Sequence, residues 1–316
     1  MRLLFFGTPD FASQCLRKIL SSKHSVVAVV TAPDRPVGRG RRLTQTAVKT
    51  LAHSQGLEVL QPERLKDTSF LEKLEAFGAD IFCVVAFRIL PEDVFSMPPK
   101  GCVNLHASLL PKYRGAAPIN WALINGESET GLTTFFIRRK VDTGEIILQE
   151  KLEIGQDETF GSLHDRMADK GGELLTRTLD MIESGNVTTM KQDDNLASPA
   201  PKIYPEMGRV DWTKSAREIH NLVRGLSPRP AAFSYLDQKR VTLLLTELAM
   251  AESTDQQQPG SVIMADSRNG IVVSCGKGSL KLLQLKPESG KAMAGAEFVR
   301  GYRLKAGACF GGWIER

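Results

Sequence analysis

Three stretches of this chain are apolar without a break: LLFF at 3–6, VVAVV at 26–30 and IFCVVAF at 81–87. A strand with one wet face alternates apolar and polar residues. These stretches do not alternate, so they are expected to be covered on both faces, as in a parallel sheet between layers of helices. Helical patterns fall between them at about 10–21, 46–54 and 69–77, with a short strand at 58–60 and a further strand, CVNLH, at 102–106. Strand–helix alternation of this kind predicts an α/β fold: an open, mainly parallel, Rossmann-like sheet with helices on both faces. Such sheets place their ligand-binding loops at the C-terminal ends of the strands.

Further along, EIILQEKLEI at 145–154 reads as a strand and about 159–183 as a long amphipathic helix closed by SGNV. The pattern then changes. QDDNLASPAPKIYPEMG, at 192–208, is rich in Pro, Asp and Ser and reads as a linker. Beyond a helix at about 215–224 come short alternating strands: AFSYL, RVTLLLTEL, GSVIMA, GIVVSC and SLKLLQL. Their spacing, with Gly and Asn turns, predicts a smaller antiparallel β-barrel of OB-like type. The expected organisation is a catalytic domain over 1–189, a linker over 190–208 and a barrel-like domain over 209–316.

Composition narrows the function classes. At 316 residues, two domains are the natural division. Hydrophobic residues make up 42% and charged residues 24%, ordinary values for a globular protein. No apolar run approaches the roughly 20 residues that cross a bilayer. The opening MRLLFFGTPDF has too short an apolar stretch for a signal sequence and reads as a first buried strand, so the expected location is cytoplasmic. The five cysteines are odd in number and lack CxxC spacing, which speaks against zinc and against a disulfide framework. The net charge of +5 is uneven: residues 202–316 carry 17 Lys plus Arg against 11 Asp plus Glu, a net of +6. A basic C-terminal third is compatible with a polyanionic partner.

The chemistry concentrates in CVNLHASLLPKYRG, at 102–115. Asn104 and His106 are two apart on a strand, so their side chains share a face at its C-terminal end. An amide and an imidazole there can both donate hydrogen bonds to one substrate oxygen, as an oxyanion requires. Later comes VDTG at 141–144, where Asp142 can orient His106 or receive a proton through water. From residue type and spacing alone two interpretations stay open: an active site, or a plain strand end followed by an ordinary turn. GTPDF after the first strand lacks both GxGxxG and GxxxxGK[ST], which speaks against NAD and ATP. The GRGRR run at 38–42 is either a solvated charge cluster or an RNA contact.

Taken whole, NLHASLLPKYRGAAPINWALINGESETGLTTFFI with VDTGEII closely resembles the 10-formyltetrahydrofolate-dependent formyltransferases. That family uses an Asn-x-His pair and a later Asp, with SLLP and RG between. The resemblance implies a catalytic set of Asn104, His106 and Asp142, and a folate-binding loop of Ser108, Leu109, Leu110 and Pro111. Arg114 is a ligand contact or a structural arginine. GTPDFA at 7–12, TAPDRPVGRGRRL at 31–43, the pair Asp211–Trp212 and the basic C-terminal region resemble the branch whose acceptor is initiator methionyl-tRNA. They imply tRNA contacts from Arg35, Arg39, Arg41 and Arg42. The expected activity is formyl transfer from 10-formyltetrahydrofolate to the methionine α-amine of that tRNA, in translation initiation, by a monomer without metal. A formyltransferase acting on a sugar nucleotide or another small amine, and a non-catalytic RNA-binding relative, are the alternatives. AFRILP at 86–91 departs from the family's AYG-x-ILP by one residue, which leaves the pterin contacts open.

Overall fold

The first apolar run forms β1 (Arg2–Gly7), and every one of its residues from Leu3 to Phe6 is fully buried. In the computed structural model, which describes residues 1–37, 42–249 and 257–311, the chain divides into two units. The first comprises 1–118, 129–153 and 164–201; the second comprises 119–128, 154–163 and 202–316.

In chain order the first unit runs β1, α1 (Asp10–Leu20), β2 (Ser25–Val30), β3 (Arg35–Val37), β4 (Arg42–Thr44), α2 (Ala47–Ser54), β5 (Val59–Leu60), α3 (Thr68–Ala76), β6 (Ile81–Val85), α4 (Glu92–Phe95), β7 (Cys102–His106) and β8 (Arg114–Gly115). Then come α5 (Pro118–Ile124), most of which belongs to the second unit, β9 (Glu129–Phe136), β10 (Ile146–Glu153), α6 (Phe160–Ser184) and β11 (Pro199–Ala200). The main sheet has the order β10-β9-β7-β6-β1-β2-β5. Pairing is parallel from β7 through β5, and antiparallel where β9 joins β7 and β10 joins β9. The mainly parallel sheet expected from the unalternating strands is thus observed, extended at one edge by an antiparallel pair.

Both faces are covered. Leu4, Phe6, Val30, Phe82 and Val84 pack with Phe70 and Leu74 of α3 and Val94 of α4. On the other face Leu105 of β7, Leu132 of β9 and Cys15 of α1 meet the backbone of α6 at Gly171, where a Cβ would lie 2.8 Å from Leu105 Cδ2. Parallel pairing of β6 and β7 puts the C-terminal ends of both strands on one sheet edge.

The second unit contains α7 (Ala216–Leu226), β12 (Ala232–Leu236), β13 (Lys239–Ala249), β14 (Val262–Asp266), β15 (Gly270–Ser274), β16 (Ser279–Pro287), β17 (Met293–Ala294) and α8 (Gly295–Tyr302). Its antiparallel sheet has the order β12-β13-β16-β15-β14, with β17 paired to β16. Cys309 bridges to Ser261 beside β14 and Phe310 to Leu236 of β12, so the C-terminal segment links the two edge strands. Trp212 is buried in this unit's core and donates its indole N–H to Ser234 Oγ at 2.9 Å, which makes it a packing anchor. No helix among the described residues is long and apolar enough to cross a membrane.

Candidate active site

β7 carries Asn104 and His106 on the face that also bears Cys102, which belongs to the core cluster packed by α3 and α4. Asn104 is half-buried and His106 is buried. His106 Nε2 lies 2.8 Å from the Tyr113 carbonyl. A carbonyl can only accept, so Nε2 bears a proton and donates it there. That leaves Nδ1 facing Asp142 Oδ2 at 3.9 Å. The separation is too long for a direct hydrogen bond and suits a charge pair or one bridging water.

Asp142 sits between β9 and β10 at φ 53°. The left-handed region costs most residues on the order of 1–2 kcal/mol, and Asp is among the few that enter it readily. Its Oδ2 accepts the Gly115 N–H at 2.9 Å. Glycine is needed at 115: φ is +127°, and a Cβ would press to 2.6 Å from the Ala200 carbonyl oxygen. At Gly144 a Cβ would overlap the Phe136 carbonyl, which explains the glycine of VDTG. His106, Asp142 and Gly115 are thereby brought together from three separate stretches of one unit.

The SLLP loop is built largely inward. Ser108 is fully buried and donates its hydroxyl to the Lys112 carbonyl at 2.6 Å. Leu110 packs with Phe135 and Ile146. Thr133 of β9 ties the loop down: its hydroxyl donates to the Ser108 carbonyl at 2.6 Å and accepts from Leu110 N at 3.1 Å and Gln149 Nε2 at 2.9 Å. Leu109 and Pro111 are half-buried, and Leu109 lies against Gly131.

Arg114 is engaged within the protein. Its Nε and Nη2 donate to Gln192 Oε1 at 3.1 and 2.7 Å, and Nη1 pairs with Asp194 Oδ1 at 2.8 Å. The bond from Arg114, with the Lys140 and Arg114 charges, holds the Asp194 carboxyl below its usual range. Sequence reasoning missed Gln192 and the Tyr113 carbonyl. No residue-type signal could have revealed a backbone oxygen, and a glutamine in a polar stretch looks like solvent-facing linker.

A cavity of about 530 Å³ opens on the same sheet edge, lined by residues that include Lys66, Arg88, Ile89, Leu90, Phe95 and Arg139. It contains most of the AFRILP segment. Ile89 is 74% exposed there, an unusual placement for a large apolar side chain. Of the cations, Arg88 donates to the Pro62 and Glu63 carbonyls, and Arg139 pairs with Glu92 at 2.7 Å. An apolar wall beside cations fits a ligand with a flat ring and carboxylates.

The arginines expected to touch tRNA are placed in part. Arg35 is exposed on β3, which forms an antiparallel ribbon with β4, where Arg42 begins the strand. Arg39 and Arg41 lie outside the described residues.

Residues 1–179 match the family model for formyl transferase, and 202–303 match the model for the formyl transferase C-terminal domain. The chain belongs to the formyl transferase family. It is 43% identical over 312 residues to the methionyl-tRNA formyltransferase of Geobacter sulfurreducens, covering 98% of this chain and 97% of that one. Identity is 42% to the enzyme of the same name from Lachnospira eligens, over 98% of this chain and all of the other. Among solved structures, HypX from Aquifex aeolicus in complex with tetrahydrofolic acid superposes with a TM-score of 0.66 at 16% identity, over 97% of this chain and 48% of that chain. WlaRD, a sugar 3N-formyl transferase, superposes at 0.65 with 17% identity, over 92% and 99%. At such identities these two establish the shared fold.

Proposed function

We propose that this protein transfers the formyl group of 10-formyltetrahydrofolate to the α-amine of methionine on initiator methionyl-tRNA. The observation that carries the proposal is the meeting of Asn104, His106 and Asp142 on one sheet edge, in a chain whose catalytic and C-terminal parts both align with methionyl-tRNA formyltransferases. The folate supplies an electrophilic formyl carbon on N10. The neutral amine of the acceptor attacks that carbon, and negative charge grows on the formyl oxygen. Asn104 donates an amide N–H to it, and His106 donates Nδ1–H in its doubly protonated form with Nε2 still on the Tyr113 carbonyl; a preorganised donor there is worth roughly 100- to 1000-fold in turnover. Asp142 faces the imidazole and accepts, through a water, the proton that the attacking amine sheds. N10 departs with a proton, so the exchange is balanced without metal or redox chemistry.

The cavity beside Ile89 and Leu90 takes the pterin and its tail, with Lys66 and Arg139 near the tail carboxylates. Leu109 and Pro111 form the wall next to His106, while Ser108 and Leu110 hold that wall in shape. The C-terminal unit, with the +6 excess of residues 202–316, and the arginines of the 35–42 loop bind the tRNA. The chain acts as a monomer in the cytoplasm.

The test compares acceptors. With 10-formyltetrahydrofolate present, methionyl initiator tRNA should be formylated at least 100-fold faster than free methionine or an amino-sugar nucleotide. Faster formylation of the sugar nucleotide would replace the tRNA as acceptor.

A further inference from the structure

Gln192 is buried in the stretch whose composition reads as linker. Its amide uses all its main bonding directions at once. Oε1 accepts both Nε and Nη2 of Arg114. Nε2 donates to the Asp142 carbonyl at 3.0 Å and to the Gly144 carbonyl at 2.8 Å. One planar group thus joins the residue preceding Gly115 to the backbone on both sides of Thr143. The Gly115 N–H is the donor that holds the Asp142 carboxylate, and Asp142 sits in the left-handed region. Both halves of that contact are therefore fixed by the same side chain.

The neighbours reinforce the arrangement. Arg114 N donates to the Ser198 carbonyl, and Ala116 N to the Ala200 carbonyl. Met190 exchanges both backbone bonds with Ile146, just after the Asp142 loop. Asp194 takes the remaining Arg114 nitrogen at 2.8 Å and Lys140 Nζ at 3.7 Å. Residues 190–200 run as a strap across the two loops that flank His106. Within the strap, Gln192 alone donates to the backbone carbonyl of Asp142 itself among the described contacts.

We propose that Gln192 is a positioning residue: it sets the Asp142 carboxylate at its place between the Gly115 N–H and His106 Nδ1. The proposal rests on the formyl-transfer mechanism above. Glutamine suits the task because two donors and one acceptor on a single plane are required. Glutamate lacks the donors, and leucine lacks both. Misplacement of a catalytic group by about 1 Å costs up to about 100-fold in rate.

The experiment uses the intact chain with Gln192→Leu, Gln192→Glu, Asp142→Ala and the double variant Gln192→Leu/Asp142→Ala. Two quantities are read: single-turnover formyl transfer to methionyl-tRNA, and hydrogen exchange of the Gly115 amide by NMR. The expected result is a ~10- to 100-fold loss of rate in both Gln192 variants with KM for the folate within about twofold. Gly115 exchange should rise at least about tenfold, since its acceptor has moved. In the Asp142→Ala background, Gln192→Leu should cost less than about twofold more, because nothing is left to position. A Gln192 loss of equal size in both backgrounds, or unaltered Gly115 exchange in a folded variant, overturns the proposal. Absence of formyl transfer by the unaltered chain would instead remove the mechanism, and Gly115 exchange alone would then decide whether Gln192 places the carboxylate. If Gln192→Leu does not fold, Gln192→Glu, which keeps the acceptor for Arg114, provides the same two readouts.

Discussion

His106 and Asp142 face each other at 3.9 Å, yet each is held by a group other than its partner. The imidazole is fixed by the Tyr113 carbonyl at 2.8 Å and the carboxylate by the Gly115 N–H at 2.9 Å. A gap maintained from both sides leaves room for one water and lets the carboxylate act on the ring without consuming the ring's own hydrogen bond. The pair is poised for proton traffic and is not locked as a closed salt bridge.

Replacing Asp142 by Asn keeps the shape and removes the charge. The acceptor for Gly115 N–H survives in the amide oxygen, so the loop should stay in place. Turnover is expected to fall by about 100-fold or more while the folate dissociation constant changes less than about threefold. Steady-state kinetics with a parallel folate titration check this. A defect confined to folate binding would contradict the assigned role.

Thr133→Val probes the base of the site. The hydroxyl is fully buried and serves three partners, the Ser108 carbonyl, Leu110 N and Gln149 Nε2. Valine has the same shape and none of the bonds. Leaving buried groups unpaired costs about 1–3 kcal/mol each before relaxation, so urea unfolding should register a loss of roughly 2–3 kcal/mol. A change below about 0.5 kcal/mol would mean that the SLLP loop is held by packing alone.

Much of this architecture is written in the chain, unevenly. The run Leu3 to Phe6 announces a strand covered on both faces, and Asn104-x-His106 at the end of another marks the candidate site. By contrast, β9 is obscured in hydropathy by Thr133 and Thr134. Both are fully buried, and their hydroxyls are satisfied by groups far off in sequence: Ser108, Leu110 and Gln149 for Thr133, and Thr178 for Thr134. Gln192 is harder still. It lies 50 positions from Asp142, in a stretch of Asp, Ser and Pro whose composition resembles linker. Its role depends on two backbone carbonyls, and those have no residue signature.

The cavity beside the site gives a charge prediction. Lys66 lines it with Arg88 and Arg139, and of these the two arginines are already bonded within the protein. Lys66→Glu is expected to raise KM for the glutamate-bearing folate roughly three- to tenfold, with kcat changed less than about twofold, and the effect should shrink at high salt. An unchanged KM at low ionic strength would place the folate carboxylates elsewhere.

Thiol chemistry offers a check on the cores. Cys15, Cys83, Cys102 and Cys275 are buried, and Cys309 is exposed. Burial pushes the Cys83 and Cys275 thiols up to about 12 and raises those of Cys15 and Cys102 as well. The thiolate is the reactive form, so at pH 8 these four should stay silent towards an aromatic disulfide reagent. One thiol of the five should react quickly in the native protein and all five in denaturant. Rapid reaction of two or more would show that a core is open.

The most direct measurement follows labelled formyl from 10-formyltetrahydrofolate to methionyl initiator tRNA in a single turnover, with the intact chain beside His106→Ala. His106 is buried and bonded to the Tyr113 carbonyl, so the variant's melting curve is taken alongside to confirm that it is folded. The account predicts labelled formylmethionyl-tRNA from the intact chain and a rate about 100- to 1000-fold lower from the folded variant. No label transferred by the intact chain, or equal rates from the two proteins, would contradict it.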